Sequence, residues 1–138
     1  MGSGSTMKKR IFIIAALAVA AGIFLVTRSP GATGGSTYEW IARELPVGQQ
    51  SVPWVNYFFR KAMHLMSFGG LAVLLSLILK RRRYLLPWLI VTIYAATDEV
   101  HQLYVPGRSG SIKDVLLDSF GAACGLGILF LIRRRRSR

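Results

Sequence analysis

Acidic residues are scarce in this chain: six Asp and Glu stand against 18 Lys and Arg, for a formal net charge of +12. Charged residues of both signs make up only 17% of the 138 positions, whereas 52% are hydrophobic and the mean hydropathy is +0.42. That balance excludes an ordinary soluble domain of this size and leaves room for one domain. Cysteine is nearly absent. Cys124 is alone in an apolar run, so no intrachain disulfide can form and the thiol reads as a small packing residue. The motifs of familiar hydrolases are missing too: there is no HExxH, no C-x-x-C and no serine in a G-x-S-x-G turn. The basic clusters lack interleaved aromatics, which excludes nucleic acid as the partner they serve. No inverted repeat divides the apolar segments, and this argues against alternating-access transport.

What the chain does have is four apolar segments punctuated by cations. They run from Ile11 to Val26, Tyr57 to Leu79, Tyr84 to Leu103 and Asp114 to Ile132. At about 1.5 Å per residue, the last three approach the ~20 residues that span ~30 Å of hydrocarbon, and the first needs help from its flanks. Lys8 to Arg10, Lys80 to Arg83, Arg133 to Arg136 and Arg138 supply twelve cations with no acid among them. The other six cations and all six acids occupy the alternate ends and cancel. The positive-inside rule then predicts an all-α, integral membrane four-helix bundle with both termini cytoplasmic. The leading MGSGST reads as an expression remnant covering residues 1–6, and residues 7–138 as a single membrane domain. A cleaved signal peptide is the alternative for the first segment. No A-x-A site follows it, so an uncleaved helix is expected.

Residues 27–56 are expected outside the membrane as an irregular linker with interfacial aromatics. An amphipathic YEWIARELP segment (Tyr38, Trp40, Ile41, Leu45) offers the alternative of a membrane-anchored lid, and Trp54, Tyr57, Phe58 and Phe59 form an aromatic belt.

The stretch DEVHQLYVPGRSGSIKDVLLD, from Asp98 to Asp118, places ionisable groups at the margin of a bilayer, where they cost several kcal/mol unless paired, hydrated or bound to something. Helical spacing gathers them. Arg60, Lys61 and His64 open the second segment, with Arg60 and His64 on one face. Asp98, His101 and Gln102 close the third on a shared face, with Glu99 about 100° away. Asp114 and Asp118 are one turn apart in the fourth. All three ends are expected on the outer side, where a compact bundle brings them together. Ser111 followed by Asp114 has the form of a capping box, which gives Asp114 a structural role of equal standing with a site role. Gly121 and Gly125 form a GxxxG, with small residues at Ser119, Ala123 and Gly127, and predict close packing within the chain against Gly69 and Gly70.

The KxxH of Lys61 and His64, the DExHQ of Asp98 to Gln102, the PGR of Pro106 to Arg108, and the DxxxD of Asp114 and Asp118 ahead of Gly121 together resemble the VanZ-like family. Those small membrane proteins take their name from an accessory component of teicoplanin resistance. The resemblance covers about Arg60 to Gly127 and implies a bacterial cell-envelope protein, without bringing an agreed activity.

Three readings of the cluster stay open. In the first, Arg60, Lys61 and Arg108 bind the phosphate or carboxylate of an outer-leaflet headgroup. Asp98, Glu99, Gln102, Asp114 and Asp118 then orient those cations or accept from sugar hydroxyls. The partner is a membrane lipid, a lipid-linked cell-wall precursor or a glycopeptide antibiotic. In the second, His64 or His101 is a general base steered by Asp98 or Glu99, with Arg108 at a developing oxyanion, in a hydrolase or transferase. A metal variant would use His101, Asp98 and Asp114 or Asp118, but no diagnostic spacing assigns a metal ligand, and no cofactor is indicated. In the third, the charges neutralise one another and fix helix packing in a protein that assembles with other envelope components.

Overall fold

A computed structural model describes residues 3–29, 34–79, 82–106 and 110–137. Among them are five helices and no strand: α1 (Ser3–Arg28), α2 (Gly34–Glu44), α3 (Val52–Ile78), α4 (Leu85–Gln102) and α5 (Ile112–Arg136). Thr6–Arg28 within α1, together with α3 and α5, is long and apolar enough to cross a membrane. The expected third span, α4, does not join them, because Asp98, Glu99, His101 and Gln102 crowd its last turn and lower its hydropathy. The linker expected to be irregular contains α2. Its YEWIARE run folds as a helix that packs on α3 and buries Ile41 completely.

Side-chain contacts fix the helix directions. Lys61, His64 and Gly69 of α3 meet Asp114, Asp118 and Gly125 of α5 in rising order, so these two helices run parallel. Tyr94 Oη donates to the Ala20 carbonyl at 2.7 Å and Thr27 meets Asp98, which sets α1 parallel to α4. By contrast, Trp88 reaches Ser119 while Glu99 reaches Ser111, so α4 and α5 are antiparallel. The core holds Phe68, Leu71 and Ala72 of α3, Val91 and Ala95 of α4, and Ala122 and Leu126 of α5, with Ala16 and Ile23 of α1 alongside. Apolar side chains also cover the outside: Ile14, Leu17, Ile93, Phe120 and Ile128 are all exposed. Lipid favours such a surface and gives no hydrophobic drive to helix association, so close fit has to hold the helices together.

That fit is closest between α3 and α5. A Cβ on Gly121 would lie 2.6 Å from the Leu65 carbonyl oxygen, and one on Gly125 would lie 2.7 Å from that of Gly69. Both obstacles are backbone, which no rotamer change moves aside. Gly69 is thus the complementary surface the GxxxG predicts, whereas Gly70 faces open space.

Candidate functional site

The polar ends of α1, α3, α4 and α5 converge in one layer. Asp98, Glu99 and Asp118 are 3%, 4% and 0% exposed, and a buried carboxylate must find donors to repay its lost hydration. Asp98 accepts from Thr27 Oγ1 at 2.7 Å and from Gln102 Nε2 at 2.9 Å. Glu99 accepts from the Ser111 backbone N–H at 2.8 Å and from Gln102 Nε2 at 3.3 Å. Asp118 has His64: Nδ1 stands 3.3 Å from both carboxylate oxygens, with hydrogen-bond geometry to Oδ2 and none to Oδ1. Lys61 forms an ion pair with Asp114.

The start of α5 explains how Asp114 is released for that pair. Ser111 is an extended N-cap whose hydroxyl accepts from the Lys113 N–H at 3.2 Å. In a capping box the acid three residues on would accept the Ser111 N–H. Here Glu99 of α4 takes that donor, so the cap is completed between helices and Asp114 turns to Lys61. We expect Ser111→Ala to cost about 1 kcal/mol of stability, read as a lower melting temperature in detergent, with the Glu99 contact to the backbone retained.

Beside this layer lies a polar cavity of about 460 Å³, whose walls include Gly34, Asn56, Arg60, Lys61, His64 and Gln102. Helix α2 stands over it. Asn56 Nδ2 donates to the Gly34 carbonyl at 3.0 Å and Thr37 Oγ1 donates to Asn56 Oδ1 at 2.6 Å, tying α2 to the start of α3. Arg60 reaches beneath Gly34, and its Nη1 is buried without a hydrogen-bond partner among the described residues. A second, apolar cavity of about 300 Å³ runs between α1 and α3, lined in part by Val19, Ile23, Met63 and Phe68. His64 lines both.

Of the residues singled out by spacing, Lys61, His64, Asp98, Glu99, Gln102, Asp114 and Asp118 come together, and Arg60 faces the adjoining cavity. His101 does not join them through any hydrogen bond: its ring packs on Phe24 of α1 with centroids 4.7 Å apart, and Nδ1 is buried without a partner among the described residues. Glu99, placed by helical geometry away from Asp98 and Gln102, is instead drawn inward by the Ser111 N–H. Arg108 lies outside the described residues. Thr27, Asn56 and Ser111 are participants that charge patterning did not reveal as ligand-facing or carboxylate-binding groups.

A family model described as VanZ/LLP1 matches residues 12–133. The chain belongs to the VanZ/LLP1 family. No match was found among curated proteins or among solved structures. The VanZ/LLP1 match extends beyond the motif-bearing half and takes in α1 from residue 12 onward and all of α2, so Thr27 and the segment above the cavity belong to the family region. This VanZ/LLP1 chain combines hydrogen-bonded acids, an unpartnered guanidinium nitrogen and an apolar cavity within reach of one histidine. Such an arrangement can bind an anionic, amphipathic molecule or move a proton at His64.

Proposed function

We propose that this VanZ/LLP1 protein is a resistance-associated envelope protein that binds the anionic head of a lipid-linked precursor or lipoglycopeptide at the outer leaflet. The observation that carries this reading is the buried Arg60 Nη1 in the wall of the polar cavity, which lacks a partner among the described residues. A guanidinium left in that state is costly, and a phosphate or carboxylate would satisfy it with a charge-assisted pair of hydrogen bonds. Lys61, ion-paired with Asp114, stands in the same wall, and the apolar cavity beyond His64 suits the tail of the same molecule. In this reading α4 crosses the membrane with α1, α3 and α5, its polar last turn reaching the outer interface. Lys8 to Arg10, Lys80 to Arg83 and Arg133 to Arg136 then lie in the cytoplasm with both termini.

Arg60→Ala in nanodiscs is expected to weaken binding of a labelled lipid-linked cell-wall precursor by about tenfold or more, the loss of a charged hydrogen bond. Affinity equal to wild type would overturn the proposal. Conversion of the precursor in the same assay would replace simple binding with hydrolysis or transfer, for which the His64 contact with Asp118 is the supporting geometry.

A further inference from the structure

His64 of α3, Glu99 of α4 and Asp118 of α5 each present one potential ligand atom, and the three atoms lie within 4.8 Å of one another. We propose that these residues form a site for one divalent transition-metal cation of the Mn to Zn series. One imidazole nitrogen and two carboxylate oxygens are a donor set that such ions accept. The 3.3 Å from His64 Nδ1 to the Asp118 oxygens is close to what a shared ion needs. Two ligands each about 2.0 Å from a tetrahedral Zn²⁺ stand about 3.3 Å apart.

Two further observations point to a cation. Asp118 is fully buried in the polar layer, yet its Oδ1 has no hydrogen-bond partner among the described residues. Charge is the second. Among the described residues, Lys61 is committed to Asp114 and Arg60 reaches toward Gly34, leaving the His64 imidazole as the ionisable partner of Glu99 and Asp118. A divalent ion would neutralise both carboxylates. The outer contacts are those of a supported site, since the Ser111 N–H and the Gln102 amide orient Glu99. The cavity lined by His64 can supply water for a remaining coordination position.

The site does not depend on the headgroup reading, because the ion is measured without any lipid-linked ligand. Protein carrying a histidine-free affinity tag is stripped with EDTA, placed in nanodiscs and titrated calorimetrically with Zn²⁺ and with Mn²⁺. We expect saturation at about one ion per chain and a higher melting temperature when it is bound. Asp118→Asn and Glu99→Gln keep shape but weaken a ligand, and each should reduce affinity by about 100-fold or more while the apo protein stays folded. Should Asp118→Asn fail to fold, His64→Gln provides the same test from α3. His101→Ala, outside the triad, should bind like wild type. Absence of saturable binding to wild type, or unchanged binding after loss of any triad residue, would overturn the proposal.

Discussion

Gly121→Leu is expected to destabilise this protein by about 3 kcal/mol or more, at the upper end of the cost of overpacking. The glycine faces the Leu65 carbonyl oxygen, Cα and carbonyl carbon at 2.6, 2.9 and 3.2 Å from where a Cβ would stand. A side chain there must push α3 and α5 apart as whole helices, and the separation would propagate to the Lys61–Asp114 and His64–Asp118 contacts at the same interface. In a protein of this length the loss corresponds to a fall in melting temperature of roughly 10 °C or more. Gly70→Leu is the matched control, because among the described residues nothing lies within 4 Å of a Cβ added there. Equal melting of Gly121→Leu and wild type would mean that α3 and α5 do not approach at this point.

The second large effect is expected at Thr27→Val, a nearly isosteric change that removes one hydroxyl. Thr27 Oγ1 has a single hydrogen, and its 2.7 Å contact with Asp98 Oδ1 is shorter than the 3.1 Å contact with the Phe24 carbonyl. Losing it deprives a carboxylate that is only 3% exposed of a donor, at a cost of about 1.5–3 kcal/mol. A double-mutant cycle with Asp98→Leu, followed by thermal melting, should return a coupling of similar size. Thr97→Val, on the exposed side of α4, should change stability by no more than about 0.5 kcal/mol. Additive costs for Thr27 and Asp98 would remove this link between α1 and α4.

Much of this arrangement was legible in the sequence, and for identifiable reasons. Charges cannot face lipid cheaply, so runs of apolar residues between charged ends marked the long helices, and a three- or four-residue spacing marked which charges share a face. Lys61 and His64 accordingly met Asp114 and Asp118. The GxxxG located the α3 contact because small residues alone permit it. Thr27 was hidden at the edge of the apolar run that ends at Val26, where an uncharged threonine carries no charge signal. His101 and His64 are chemically alike, and only the three-dimensional packing against Phe24 separates one from the other. Glu99 was misplaced because helix geometry fixes where a Cα points, whereas the orphan N–H at the start of a neighbouring helix decided where the carboxylate went.

The parallel pairing of α3 with α5 also bears on how the protein is made. Lys61 and His64 find their partners 53 and 54 residues further along the chain, beyond the whole of α4. At synthesis rates of roughly 5–20 residues per second, α3 waits several seconds with those groups uncompensated. Water must hold them meanwhile, since hydrocarbon would exclude them. Arrival of α5 supplies both acids and the two glycines that let it settle against α3. Neutralisation and close packing therefore coincide in time.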